Sequence, residues 1–163
     1  MKNLFIISLL VVCSCLTCCS VHSKELDFGD GRSETLTRKA WDSYEAAKYD
    51  DAIGFAKECI KSFQEQAVEM QKGLKEPVDT ADKQAVESLW ALNDVGTCYY
   101  VLGQVFEKQD KSDQALKAYN RLIKDFAFAQ CWDSKGWFWK PADAAKRRIK
   151  VIEFEKLDDA DLN

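Results

Sequence analysis

Three of the five tryptophans of this 163-residue chain crowd into one stretch, Cys131-Trp132-Asp133-Ser134-Lys135-Gly136-Trp137-Phe138-Trp139-Lys140-Pro141. Flat apolar rings stack on sugar faces, and an indole N–H adds a directional donor. Trp132, Trp137, Phe138 and Trp139 are therefore a candidate binding loop for a glycan or a peptide. The competing reading is structural. The rings fold back and plug the open end of a helix stack, because burying large apolar side chains is strongly favourable. In that reading Trp137 and Trp139, which straddle Phe138 just before Pro141, cap the core. Trp132, beside the polar 133–136 turn, stays accessible.

Other chemistry has little material. His22 is the only histidine, and cleavage after Ser23 would leave the mature chain with none. That excludes Ser-His-Asp and Cys-His catalysis and most zinc sites. No glycine-rich phosphate loop is present, and no metal or cofactor is expected. A glycan hydrolase needs two carboxyls held across a sugar cleft. Glu65, Glu69, Asp110 and Asp113 fall instead on solvent faces of expected helices. Cys59, Cys98 and Cys131 form no C-x-x-C. They read either as small buried apolar residues or, in an oxidising compartment, as one disulfide and one free thiol. The net charge of −4, from 23 Lys+Arg against 27 Asp+Glu, gives no basic excess for a nucleic-acid partner.

The elements that position these residues are helices. Leu36, Ala40, Trp41, Tyr44 and Ala47 share one helical face over 33–48, with Ser33 as a candidate N-cap. A second helix carries Ala52, Phe55, Cys59, Ile60 and Phe63, and Gly73 and Pro77 end it. Asp79 or Thr80 is expected to cap a long third helix, which runs without a break from Val86 past Val101. A fourth spans 112–126, and Pro141 opens a fifth that caps the stack.

Within these helices, Tyr99, Leu102, Gly103 and Phe106, then Ala115, Tyr119 and Leu122, stand at tetratricopeptide-repeat spacing. An earlier copy is degenerate. Ala52 matches Ala115, but Lys39 and Ser43 stand where Leu and Tyr are expected. The two alanines lie 63 positions apart, against about 34 in a regular array. The expected fold is all-α: a short stack of antiparallel, lengthened helix hairpins with a C-terminal capping helix. With its C-W-D-x-x-G-W-F-W-K-P segment, the stretch 33–152 resembles small exported tetratricopeptide-like proteins of Gram-negative bacteria. Ala127 departs from the proline that usually ends a repeat, so a different turn is expected there. The resemblance implies a non-catalytic module that grips a protein or peptide partner at the cell envelope. A carbohydrate- or cell-wall-binding role for the tryptophan loop is the alternative.

The first residues argue for export. Met1-Lys2-Asn3 precedes an apolar run from Leu4 through Val12, too short for a comfortable membrane span. Val21-His22-Ser23 offers a cleavage junction before Lys24. The rival is lipidation at Cys19 or Cys15, in the cluster that also holds Cys13 and Cys18. The expected organisation is a signal peptide or lipoprotein signal at 1–23, a short linker at 24–32, a helical domain at 33–157 and an acidic tail at 158–163. The expected location is the periplasm, or the outer membrane as a lipoprotein facing the periplasm, with membrane contact only through a lipid anchor. Mass spectrometry of the mature protein is expected to show an N-terminus at Lys24. A diacylglyceryl-modified Cys19 or Cys15 would show the lipoprotein route, and an unprocessed Met1 in the cytosol would exclude both.

Overall fold

A computed structural model describes residues 25–133 and 135–161, with side chains up to Leu157. The signal, cleavage and lipidation expectations, with Cys15 and Cys19, lie outside the described residues. The described residues form α1 (Ser33–Glu45), α2 (Tyr49–Lys72), α3 (Lys83–Ser88), α4 (Trp90–Lys108), α5 (Ser112–Asp125), β1 (Cys131–Asp133), β2 (Trp137–Trp139) and α6 (Pro141–Asp161). The architecture is the expected all-α, tetratricopeptide-like stack. α1 pairs with α2, α4 with α5, and α6 closes the stack against α5 and α4. α4 is central and packs on α1, α2, α5, α6 and β1. It is the most apolar of these helices and buries Ala91, Leu92, Val95, Cys98, Val101, Leu102 and Val105.

The two hairpins turn in the same way. Ala47 and Asp110 both take φ 56°, a left-handed stop. Lys48 N–H donates to Ser43 O at 2.8 Å and Ala47 N–H to Tyr44 O at 3.0 Å. In the second hairpin Lys111 N–H donates to Phe106 O at 2.8 Å and Asp110 N–H to Glu107 O at 3.0 Å. This pair of bonds satisfies the last carbonyls of each first helix. The degenerate first repeat thus keeps the backbone of the second, even where Lys39 and Ser43 replace its usual side chains.

Small residues set the helix spacing. Ala52 and Ala115 are fully buried. At Gly103 a Cβ would overlap the ring of Tyr119, so α5 lies on α4 backbone there.

Several local expectations are corrected. The third helix is not continuous. α3 stops at Ser88, and Leu89 (φ −87°, ψ 33°) separates it from α4. Asn93 Nδ2 bridges the break by donating to Val86 O at 2.8 Å. The cap of α3 is Asp82, whose Oδ1 accepts from Ala85 N–H at 2.9 Å, while Asp79 accepts from Ala81 N–H in a turn just before it. Ser33 does not cap α1. It is the first helical residue, and its hydroxyl is drawn to the Asp94 carboxylate at 2.5 Å. The described part of the expected linker, residues 25–32, packs on the helices. Leu26 packs on Gly54, Phe28 meets Phe55 edge-on at 5.9 Å, and Lys39 Nζ donates to Asp27 O at 2.6 Å. α6 continues through Asp161, past the expected start of an acidic tail.

Gly103→Leu and Ala115→Leu are each expected to cost about 1–3 kcal/mol, because neither close approach leaves room for a larger side chain. Gly73→Ala, at φ −67° with its nearest heavy atom at 3.4 Å, is the control and should stay within about 0.5 kcal/mol. Urea midpoints decide. Parental midpoints for both leucine variants would remove this packing assignment.

Candidate functional site

Three helices bring matching stripes together. α1 contributes Trp41 and Tyr44, three residues apart on one face. α4 contributes Tyr100, Gln104 and Glu107 along another, and α6 contributes Arg148, Ile152 and Glu155. Tyr44, Gln104, Glu107, Arg148 and Ile152 line a cleft of about 590 Å³.

An aromatic cluster adjoins this cleft through Tyr44. Trp41 meets Tyr44 at 5.8 Å and Tyr100 at 6.2 Å, and Tyr100 meets Trp139 edge-on at 5.3 Å. All four rings are half-buried. Burial pushes the Tyr44 and Tyr100 hydroxyls upward, so both remain protonated donors. The cleft itself is largely charged. Arg148 Nε donates to both Glu107 oxygens at 3.1 Å, and its Nη2 also reaches Oε2. The Tyr119 hydroxyl donates to the same carboxylate. Half-buried rings beside fixed charges and free donors suit an extended peptide.

The sequence-predicted residues separate into two groups. Leu102, Gly103, Ala115, Tyr119 and Leu122 are buried where hairpins interlock, and Phe106 packs on that core. Tyr99 stacks on Phe126 at 5.4 Å and donates its hydroxyl to Gln64 at 2.7 Å. These residues build the scaffold and do not line the groove.

The tryptophan loop proves to be an antiparallel hairpin, with Cys131 opposite Trp139, Trp132 opposite Phe138 and Asp133 opposite Trp137. Gly136 (φ 104°) closes it, with Gly136 N–H donating to Asp133 O at 2.9 Å. Trp139, at its base, packs on Tyr100. Trp132 is 52% exposed. Trp137, expected to cap the core, is 49% exposed instead. It shares the Trp139 face, but it sits at the tip, about 7 Å further from the helices. Strand alternation sends Trp132 to the opposite face, where it meets Phe138 at 4.9 Å. Lys83 lies over the Trp132 ring at 4.8 Å and Lys135 over Trp137 at 6.0 Å. The two exposed rings form no shared platform.

The three described cysteines are free thiols. Cys59 and Cys98 both approach the Thr37 hydroxyl, at 3.6 and 3.3 Å, and Cys131 approaches Thr97. Burial pushes Cys98 well up and Cys131 to about 12, which keeps both as inert protonated thiols. Among the described residues, no group of three or more His, Cys, Asp or Glu is placed to hold a metal. No described helix is long and apolar enough to cross a membrane.

A second cleft, of about 410 Å³, lies at the other end of the α1–α4 seam, between the 30–34 segment, Phe63, Trp90 and Asp94. Sequence reading missed both clefts. Trp41, Tyr44, Tyr100 and Trp90 all stand at core-like helical spacing, and nothing in the pattern tells a half-buried ring from a buried one.

With this geometry in place, comparison with known proteins gives one result. A tetratricopeptide repeat family model matches residues 97–128, which include the whole predicted signature from Tyr99 to Leu122. No curated protein and no solved structure matches. The fold and the repeat together define a tetratricopeptide-repeat-like helical protein, a class whose hairpins generally mediate protein–protein interaction.

Trp139→Ala is expected to lower stability by about 2–4 kcal/mol, through lost packing on Tyr100. Trp132→Ala and Trp137→Ala should each cost under about 1 kcal/mol. Thermal melts separate the three. A Trp137→Ala loss as large as that of Trp139→Ala would return Trp137 to the core.

Proposed function

We propose that this protein is a non-catalytic interaction module of the bacterial cell envelope, exported by its N-terminal signal and holding an extended segment of a protein partner in the groove between α1, α4 and α6. The observation that carries the reading is a polar cleft lined by Tyr44, Gln104, Glu107 and Arg148, with the half-buried rings of Trp41, Tyr100 and Trp139 clustered next to Tyr44. The repeat match supports a protein partner. The apolar run at 4–12 and the Ser23–Lys24 junction support export. The glycan alternative rests on Trp132 and Trp137, which offer one ring on each face rather than a paired surface.

Site-specific photo-crosslinking in cells tests this reading. A crosslinker at Lys108, on the groove rim, should capture one discrete partner band. The same group at Lys57, exposed on α2, should not. Equal capture from both positions, or none from Lys108, overturns the groove as the binding surface.

A further inference from the structure

The cleft at the start of α1 and α4 has its own chemistry. Asp94 projects from α4 into this cleft, half-buried, and its single side-chain hydrogen bond comes from Ser33 Oγ at 2.5 Å. Phe63 and Trp90 stand beside it as an edge-to-face pair, with centroids 5.7 Å apart at 80°. Trp90 is 42% exposed. Asp30, Glu34 and Asp94 give the lining three carboxylates against one guanidinium, and Arg32 is turned to Glu34 at 3.9 Å. A partly buried carboxylate beside an exposed aromatic corner complements a cation: charge from one side, ring faces from the other.

We propose that this cleft receives a lysine side chain of the protein partner, its ammonium on Asp94 and its methylene stem against Trp90 and Phe63. The proposal deepens the interaction reading and rests on it. A lysine fits both halves of the cleft: its ammonium needs one free lone pair of the Asp94 carboxylate, which the Ser33 bond leaves open, and its four-carbon stem can lie along the Trp90 and Phe63 rings.

Burial lifts Asp94 to about 6, against the lowering effect of the Ser33 bond, and Glu34 adds to the rise. Asp30, Arg32 and Glu34 face it from the N-terminal segment and α1, Cys98 from α4 and Cys131 from β1, while Cys59 of α2 lies next to the Ser33 carbonyl. Burial moves Cys98 and Cys131 upward, away from the range in which Asp94 titrates. A cation binds the ionised carboxylate, so affinity should rise with pH, by about tenfold from pH 5 to 7.5, and then level off.

The experiment is an NMR titration of the mature protein that follows the Trp90 indole N–H, assigned with Trp90→Phe. Its probes are N-acetyl-lysine methylamide, the neutral norleucine analogue and free 1,5-diaminopentane. The lysine probe should shift Trp90 saturably, with the stated pH profile. The norleucine probe should not, and the diamine should bind no tighter than capped lysine. Asp94→Asn should keep the parental fold and lose lysine binding by at least tenfold. Equal responses to lysine and norleucine, a flat pH profile in the parent, or undiminished binding by a folded Asp94→Asn would each overturn the site. Tighter binding of the diamine would overturn a protein source for the cation. Crosslinking from Lys108 does not involve Asp94, so it reports separately on the groove.

Discussion

The contact between Gly103 and Tyr119 governs the rest of the stack. Only a residue without Cβ lets the Tyr119 ring lie on the α4 backbone. The ring's hydroxyl then reaches Glu107, one turn further along α4, and draws its carboxylate into a position where the side chain is only 13% exposed. A carboxylate so desolvated needs a cation, since leaving one unpaired costs several kcal/mol. α6 supplies it through the two-pronged Arg148 pair. One packing requirement in the second hairpin therefore fixes where the capping helix lies. That placement creates the groove, because α6 forms its third wall.

How much of this was legible follows from what each feature demands of sequence. Gly103, Ala115 and Ala52 were legible because interlocking hairpins leave few choices at their closest points. The break at Leu89 was not. Leucine carries no stop signal, and the interruption is held by a side chain seven residues from the carbonyl it bridges, Asn93 to Val86. Ser33 read as a cap because its type and place were right, yet a carboxylate 61 positions away competes for its hydroxyl. The departure of Ala127 from the usual proline left the exit of α5 open. There the chain leaves through Phe126 (φ −136°), fully buried, with Ala129 N–H donating back to Phe126 O.

The hairpin marks the border between the two kinds of information. Its strands are three residues each, too short for a periodic signal. Trp-Phe-Trp is nonetheless strand-forming by type, and Asp133 with Gly136 supplies a turn. What sequence lacked was the direction of each ring. Once the register is known, alternation divides the cluster. Trp139 packs on Tyr100 of α4, Trp132 pairs with Phe138, and Trp137 overhangs. A loop that looked like one binding surface is a rigid ribbon whose base serves the helices and whose tip faces solvent.

The two clefts also differ in what they cost the fold. At the groove, Glu107 and Arg148 are paired and the neighbouring aromatic rings support one another. At the opposite end of the seam, about 17 Å away along α1, two local rules are broken together. α1 begins without a side-chain cap, its N-cap position being Arg32, and the Ser33 hydroxyl in its first turn serves Asp94. Asp94 itself carries a charge that burial disfavours. A structural role does not explain this arrangement, since an uncharged residue could accept the Ser33 bond without the desolvation. Local violations that persist in an otherwise consistent sequence concentrate where a fold is used rather than merely held together. By that argument the acidic cleft, and not the more conspicuous tryptophan ribbon, is the place where this stack gives up stability for recognition.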